Sequence, residues 1–335
     1  SMTAQRRDLS DTEVIQDFAA KVGDPTRLDY LYLLTVADMR ATNPGRWNAW
    51  KDALLRELYH LTRRALLRGL HNPQAQDDLI QQKQTEALRL ASRYGVSPQE
   101  STRLWLKFSL DYFLHNSPDE IAWQTRQVLA HAADDLPLVA IRPVTARGGT
   151  EIFVYTQDRN NLFSRTTALL DQRGLSIVNA RVMTTDDGMA LSAYHVLDRE
   201  GEPLGDELHR EELRDALKAA LGDHPDGDIQ VARRLPRQLK HFPTATEVSF
   251  TNDERNHRTL MRLTTLDRPG LLAEVGAVFE ECGIRLQNAK IATVGAEVDD
   301  VFFITTQDET AITCEAALSC LRKAIHRRLE TASAA

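Results

Sequence analysis

Asp267-Arg268-Pro269-Gly270-Leu271-Leu272 follows the strand-like run Thr264-Thr265-Leu266 and opens an apolar helical run. It therefore reads as a strand end, a tight turn and a helix start. The same passage occurs 109 residues upstream as Asp158-Arg159-Asn160-Asn161-Leu162. At that offset Val139 meets Val248, Thr150 meets Thr259, Gly174 meets Gly283, Asn179 meets Asn288 and Ala180 meets Ala289. One indel later, Asp198 meets Asp308 at an offset of 110. Identities held in one register over such a span mark a duplicated structural unit.

The first copy reads as strands at 138–144 and 150–157, a helix at 162–172, strands at 175–184 and 190–197, and a helix at 206–221. The second begins with strands at 246–251 and 258–266 and ends in a helix at 312–329. This order predicts an antiparallel sheet with its helices on one face. No strand follows the last helix, so the upstream hairpin strand should fill the slot of a fourth strand. That predicts pairing of 246–251 with 258–266. Residues 222–245, rich in Gly, Pro, Asp and Arg, read as a linker with a strand at 229–232.

Residues 1–135 have a different texture. Asp24-Pro25, Asn72-Pro73, Ser97-Pro98 and Ser117-Pro118 each set a capping side chain before a proline at the first helical position. The missing N–H costs nothing there and the fixed φ suits a helix. Breaks at Asn43-Pro44, Gly69–Pro73 and Gly95 suggest about six helices. The expected organisation is mixed α + α/β: a helical segment at 1–135, then two ferredoxin-like βαββα(β) repeats with antiparallel sheets at 138–234 and 246–330.

With 42% apolar and 27% charged residues, the 335-residue chain can bury a sizeable core. A net charge of −7 argues against a phosphate-backbone binder, so no nucleic-acid partner is expected. No apolar run approaches the ~20 residues that span a bilayer, so no membrane partner is expected either. Three cysteines without a CxxC pair suggest neither a disulfide framework nor a zinc site. The default expectation is a soluble, reduced, cytoplasmic protein. The opening Ser1-Met2 fits an appended residue or a fragment of something longer.

The duplicated turn has chemistry to offer. Gly270 lacks a Cβ and lets a ligand approach the backbone. The first-turn amides sit at the positive end of the helix dipole and suit a small carboxylate. Asp267 can accept from an α-ammonium, or simply cap the helix. Asn288 offers donor and acceptor to a side-chain amide. Together these suit a free α-amino acid. In the first copy Asn160-Asn161 replaces Pro269-Gly270, giving a more polar turn. The blander alternative makes the aspartates caps, Gly174 and Gly283 helix C′ residues, and Asn179 and Asn288 strand-edge fixtures.

The run Asp267–Leu272 followed by Gly283-Ile284 and Asn288-Ala289 resembles the ACT domain, an amino-acid-sensing module. Tandem ACT repeats behind a helical region resemble the C-terminal part of the bacterial protein-PII uridylyltransferase/uridylyl-removing family. The helical half adds to the likeness through Met2–Asp8, Leu31–Pro44, Trp47, Trp50, Lys51, Tyr112-Phe113-Leu114 and Ser117–Trp123. The resemblance implies glutamine as ligand, with Asp267, Arg268, Pro269, Gly270, Leu271 and Asn288 around it in one copy. Asp158, Asn160, Asn161, Leu162 and Asn179 are the corresponding set in the other. It implies PII and UTP as partners of the full enzyme, Mg²⁺ or Mn²⁺ as its metal, and ACT pairing within one chain or in a homodimer.

The same resemblance shows what this chain lacks. There is no Gly-Ser dipeptide for a transferase site and no His-Asp pair for an HD phosphohydrolase site. Only the last HD aspartate has a counterpart, Asp38 in the helix 25–42, and one carboxylate cannot hold a catalytic metal. His60, His71, His115 and His131 show no metal spacing. Asp226-Gly227-Asp228 reads as a turn in the linker. No complete catalytic site is expected. Trp105, Phe108, Tyr112 and Phe113 read as core, and Arg322, Lys323, His326, Arg327 and Arg328 as a solvated helix end. The rival to ligand sensing is a ligand-free ACT scaffold that docks partner domains.

Overall fold

The computed structural model describes residues 2–9, 11–42, 47–68, 75–132, 135–222, 246–254, 256–291, 293–294 and 297–331. Two units emerge. The first holds residues 1–135 with the loop segments 144–149 and 185–187; the second holds the rest. The expected linker strand at 229–232, Asp226–Asp228, Asn43-Pro44 and the Asn72-Pro73 cap lie outside the described residues.

The first unit is helical: α1 (Met2–Arg6), α2 (Thr12–Val22), α3 (Pro25–Thr42), α4 (Ala49–Arg68), α5 (Ala75–Arg93), α6 (Pro98–Trp105), α7 (Leu110–His115) and α8 (Pro118–Ala130). Among the described residues there are thus eight helices, not six. One extra break follows α6, where the Lys107 and Phe108 amides turn back to the Leu104 and Trp105 carbonyls and Ser109 starts a new helix. The caps read from sequence at Asp24, Ser97 and Ser117 are made. Ser117 Oγ accepts from the Glu120 amide at 3.2 Å while Glu120 Oε2 accepts from the Ser117 amide at 2.7 Å. Trp105, Phe108, Tyr112 and Phe113 are buried, as expected, in edge-to-face contacts. Their polar ends are satisfied: Trp105 Nε1 donates to Thr125 Oγ1 and Tyr112 Oη to Gln124 Oε1.

The second unit carries β1 (Leu138–Arg142), β2 (Thr150–Gln157), α9 (Leu162–Gln172), β3 (Ser176–Thr184), β4 (Met189–Leu197) and α10 (Glu207–Ala220). It continues with β5 (Glu247–Asp253), β6 (Arg258–Leu266), α11 (Leu271–Glu281), β7 (Arg285–Lys290), β8 (Thr293–Val294), β9 (Glu297–Thr305) and α12 (Glu315–Thr331). The hairpin strands fill the fourth slot as expected, β1 on β2 and β5 on β6. The two repeats do not form separate sheets. β3 pairs antiparallel with β7, so one sheet runs β1-β2-β4-β3-β7-β9-β6-β5, with β8 on β9. Along the strands, alternate residues such as Ile152, Val154, Tyr194, Val196, Met261, Leu263, Phe302 and Ile304 share a single core with α9 to α12.

Duplication extends to fine detail. The register slips between Ile177 and Asn179 and again between Leu286 and Asn288, at aligned positions. Thr150 and Thr259 are both fully buried, and their hydroxyls accept from the Leu204 and Ile312 amides. That bond holds Ile312 in the lead-in segment, and α12 starts three residues later than expected. Gly174 and Gly283 adopt positive φ just after α9 and α11, the C′ role foreseen for them.

Two expectations need correction. Cys282 and Cys320 are bonded to each other, and Cys314 is free and exposed. An odd count hid a pair that lies 38 residues apart in sequence but closes between neighbouring helices. The basic end of α12 is also more than a solvated face. Arg328 reaches Glu274 at 3.2 Å and Glu281 at 3.3 Å, and Arg327 also pairs with Glu281, tying α12 to α11.

The α9–α11 contact is tight at Gly276, where an added Cβ would lie 2.8 Å from Phe163 Cδ1 and 3.2 Å from Ser164 Cα. Gly276→Val should therefore destabilise the second unit by about 1–3 kcal/mol, the usual cost of overpacking. Urea unfolding of the variant against the parent chain measures it. Ser117→Ala should cost about 1 kcal/mol by losing the capping box, read the same way.

Candidate binding site at the seam between the repeats

The seam is a short ladder: Asn179 opposite Lys290, Ala180 opposite Ala289 and Arg181 opposite Asn288. Ala180 and Ala289 face the helices, because their cross-strand partners Tyr194 and Phe302 belong to the common core. Side chains alternate along a strand, so Asn179 and Asn288 face the other side of the sheet. Both are 4% exposed, and Asn179 Nδ2 and Asn288 Oδ1 have no hydrogen-bond partner among the described residues. Buried polar atoms are normally paired, so an unmatched donor and an unmatched acceptor at aligned positions are unusual.

The duplicated turns lie at the two ends of this seam. Asn161 (φ 70°) and Gly270 (φ 78°) are the N-caps of α9 and α11, both left-handed and neither with a side-chain cap bond. Each turn meets a carboxylate from the opposite repeat. The Gly270 amide donates to Asp171 Oδ2 at 2.6 Å. The Asn161 amide donates to Glu280, and the Asn161 carboxamide, with its nitrogen turned that way, donates to the same carboxylate. Asp171 and Glu280 are themselves 109 residues apart. Sequence reading missed this pair, although the repeat offset brings two acidic residues into line.

The loop arginines turn away from the seam. Arg268 donates to the Leu329 carbonyl at 3.0 Å and the Arg328 carbonyl at 3.3 Å. Arg159 likewise donates to the Leu221 and Gly222 carbonyls. Each arginine closes the C-terminal end of its repeat's last helix, where orphan carbonyls need donors. Leu162 and Leu271 enter the core as the first residue of α9 and of α11. Asn160 and Pro269 occupy the preceding turn position. Asp158 is no cap: its Oδ2 accepts from Thr184 Oγ1 at 2.8 Å and from Arg285 at 3.1 Å.

Register also decides which carboxamide belongs with which turn. Arg285, paired with Asp158, lies three residues before Asn288, about 10 Å along the strand. The turn of the second repeat follows Leu266, which is level with Glu297 and hence Val294, six residues beyond Asn288. Asn288 therefore lies nearer the first repeat's turn than its own. By the same pseudo-symmetry Asn179 lies nearer the turn at 267–270. Asp38 is exposed on α3 and belongs to no group of three metal-type ligands among the described residues.

Burial holds the Glu280 carboxyl above its ordinary range, with the Asn161 amide bond opposing part of that rise. Its proton is then held more tightly in the folded state than in the unfolded one. Its contribution to stability is largest below the ordinary glutamate value of ~4.3 and falls as pH rises through the folded-state value. Glu280→Gln should flatten that loss. Urea midpoints of parent and variant, compared from acid to neutral pH, test it.

Residues 75–127 match the family described as the fifth domain of uridylyltransferase GlnD. The bifunctional uridylyltransferase/uridylyl-removing enzyme of Pseudomonas putida strain F1 is 46% identical over 334 residues, covering 98% of this chain and 37% of its own length. That of Ectopseudomonas mendocina strain ymp is 45% identical over 338 residues, covering 100% of this chain and 38% of its own. That of Stutzerimonas stutzeri strain A1501 is 45% identical, with 98% and 37% covered. The chain thus spans well under half the length of these relatives. Over essentially its whole length it is homologous to one part of the bifunctional uridylyltransferase/uridylyl-removing enzymes.

Proposed function

We propose that this chain is the regulatory portion of a bifunctional uridylyltransferase/uridylyl-removing enzyme, and that its paired repeats are ACT-type units that bind glutamine at their seam. One observation carries the reading: two buried carboxamides with unmatched polar atoms, at aligned positions, on a seam whose ends hold the duplicated turns. Asp158, Asn160, Asn161 and Leu162 with Asn288 would form one site. Asp267, Pro269, Gly270 and Leu271 with Asn179 would form the other. In each, the acid takes the ammonium, the first-turn amides take the carboxylate and the carboxamide takes the ligand's amide. Arg159 and Arg268 hold the turns in place.

In the full-length enzyme, UMP passes from UTP to the PII protein and is later removed hydrolytically, with Mg²⁺ or Mn²⁺ as the metal. Asp38 stands apart from any group of metal-type ligands among the described residues and does not fit that ion by itself, and no metal-dependent step is assigned to it. Glutamine acts by binding one arrangement of the protein more tightly than the other.

A second reading has an observation of its own. The Gly270 and Asn161 amides already bond to the protein's Asp171 and Glu280 carboxylates. A module with its turns so occupied could dock partners without taking any ligand. Calorimetry separates the two. Glutamine should bind the parent chain, and Asn288→Ala should weaken binding about 5–150-fold, the range for a lost buried hydrogen bond of ~1–3 kcal/mol. No heat with a folded chain establishes the scaffold reading instead. The chain alone should neither uridylylate PII nor remove UMP; either activity at full-length rates would contradict its regulatory assignment.

A further inference from the structure

The cysteine pair stands outside everything assigned above. Cys282 ends α11, where its amide donates to the Val278 carbonyl, and Cys320 lies one turn into α12. Their Cα atoms are 5.9 Å apart, within the span a disulfide bridges without backbone movement. Both residues are half-buried. Cys314, just before α12, is exposed and takes no part.

The fold around the pair does not require the covalent bond. α11 and α12 already share Val278, Phe279, Leu321, Ala324 and Ile325 in the core, and Arg327 and Arg328 reach Glu281. The first repeat builds the same architecture with Arg173 at the position aligned with Cys282. What the bond adds is a fixed link to α12, whose last carbonyls accept from Arg268 at the root of the Asp267–Gly270 turn.

We propose that Cys282 and Cys320 form a reversible thiol–disulfide site whose oxidised state fastens α12 and, through Arg268, stiffens the turn of the second repeat. The co-reactant is a low-molecular-weight disulfide of the glutathione type. One protein thiolate attacks it, forming a mixed disulfide and releasing one thiol. The second protein thiolate attacks the protein-side sulfur and releases the other. The net change is two protein thiols and one small disulfide giving one protein disulfide and two small thiols.

The test uses the unmodified chain, equilibrated in glutathione buffers from fully reduced to fully oxidised, acid-quenched, alkylated with iodoacetamide and weighed intact. The expected result is three alkyl groups at the reducing end, and at the oxidising end a Cys282–Cys320 pair carrying neither alkyl group nor glutathione, with Cys314 carrying one or the other. Three groups throughout, or the pair bonded throughout, overturns the proposal. Cys314→Ser should leave the transition in place with one group fewer; loss of the transition would show the wrong pairing. Hydrogen exchange on the two end states should be several-fold faster for 315–331 and 267–275 in the reduced form. Equal exchange overturns the stiffening role.

Discussion

The antiparallel join of β3 to β7 is the constraint on which the rest of the second unit depends. Each strand is the inner edge of its own repeat, and an open strand edge is a liability that proteins cover. The ladder itself is short, with three residue pairs. At about 1 kcal/mol net per hydrogen bond it could not hold two domains in register. Packing decides the matter. Leu162, Leu271, Val275 and Val278 of the helices are buried in the same cluster as Ala180 and Ala289 at the seam. Each large side chain contributes about 1.5–3 kcal/mol on burial. The small alanines at the join, together with Gly276 above it, let the two helix–sheet layers approach closely enough to share that core.

The join also sets the electrostatics. Because α9 and α11 run past each other, each helix's N-terminal turn comes to the C-terminal part of the other, where Asp171 and Glu280 lie. A carboxylate at a helix N-terminus is favourable, and at Glu280 this offsets part of the cost of burying the charge. If the turns take a ligand, these contacts would also make them selective. Anything anionic that uses these amides must displace a carboxylate already there, and an amino acid can do so only by adding bonds elsewhere. The unmatched atoms of Asn179 and Asn288 are the place where such bonds are available.

Much of this was legible in the sequence because the determinants are local. Proline-led caps, the C′ glycines and alternating apolar strands announce elements one at a time. The hairpin strand's role followed from counting slots in a duplicated unit. Pairing between β3 and β7 was not legible. It depends on which edge meets which, and two sheets, one sheet or a dimer satisfy the same local pattern. The Cys282–Cys320 bond failed for the same reason, since it reports a helix–helix neighbourhood and not a motif. Cap counting likewise missed the break at Ser109, where a tight turn interrupts a helix without proline or glycine.

The site shows the sharper limit. Residue types at the turn suggested one cup per repeat, built from Asp267, Gly270 and Asn288 together. Register shows that a strand's carboxamide lies nearer the other repeat's turn, and that the loop arginines serve helix ends. A duplicated sequence describes what each copy contains. It does not describe which copy completes which, because that is fixed by a two-fold relation the chain makes with itself. Any ligand at this seam would then touch both repeats at once. That is the geometry a sensor needs, since a molecule contacting only one repeat has no differential affinity for how the two are arranged.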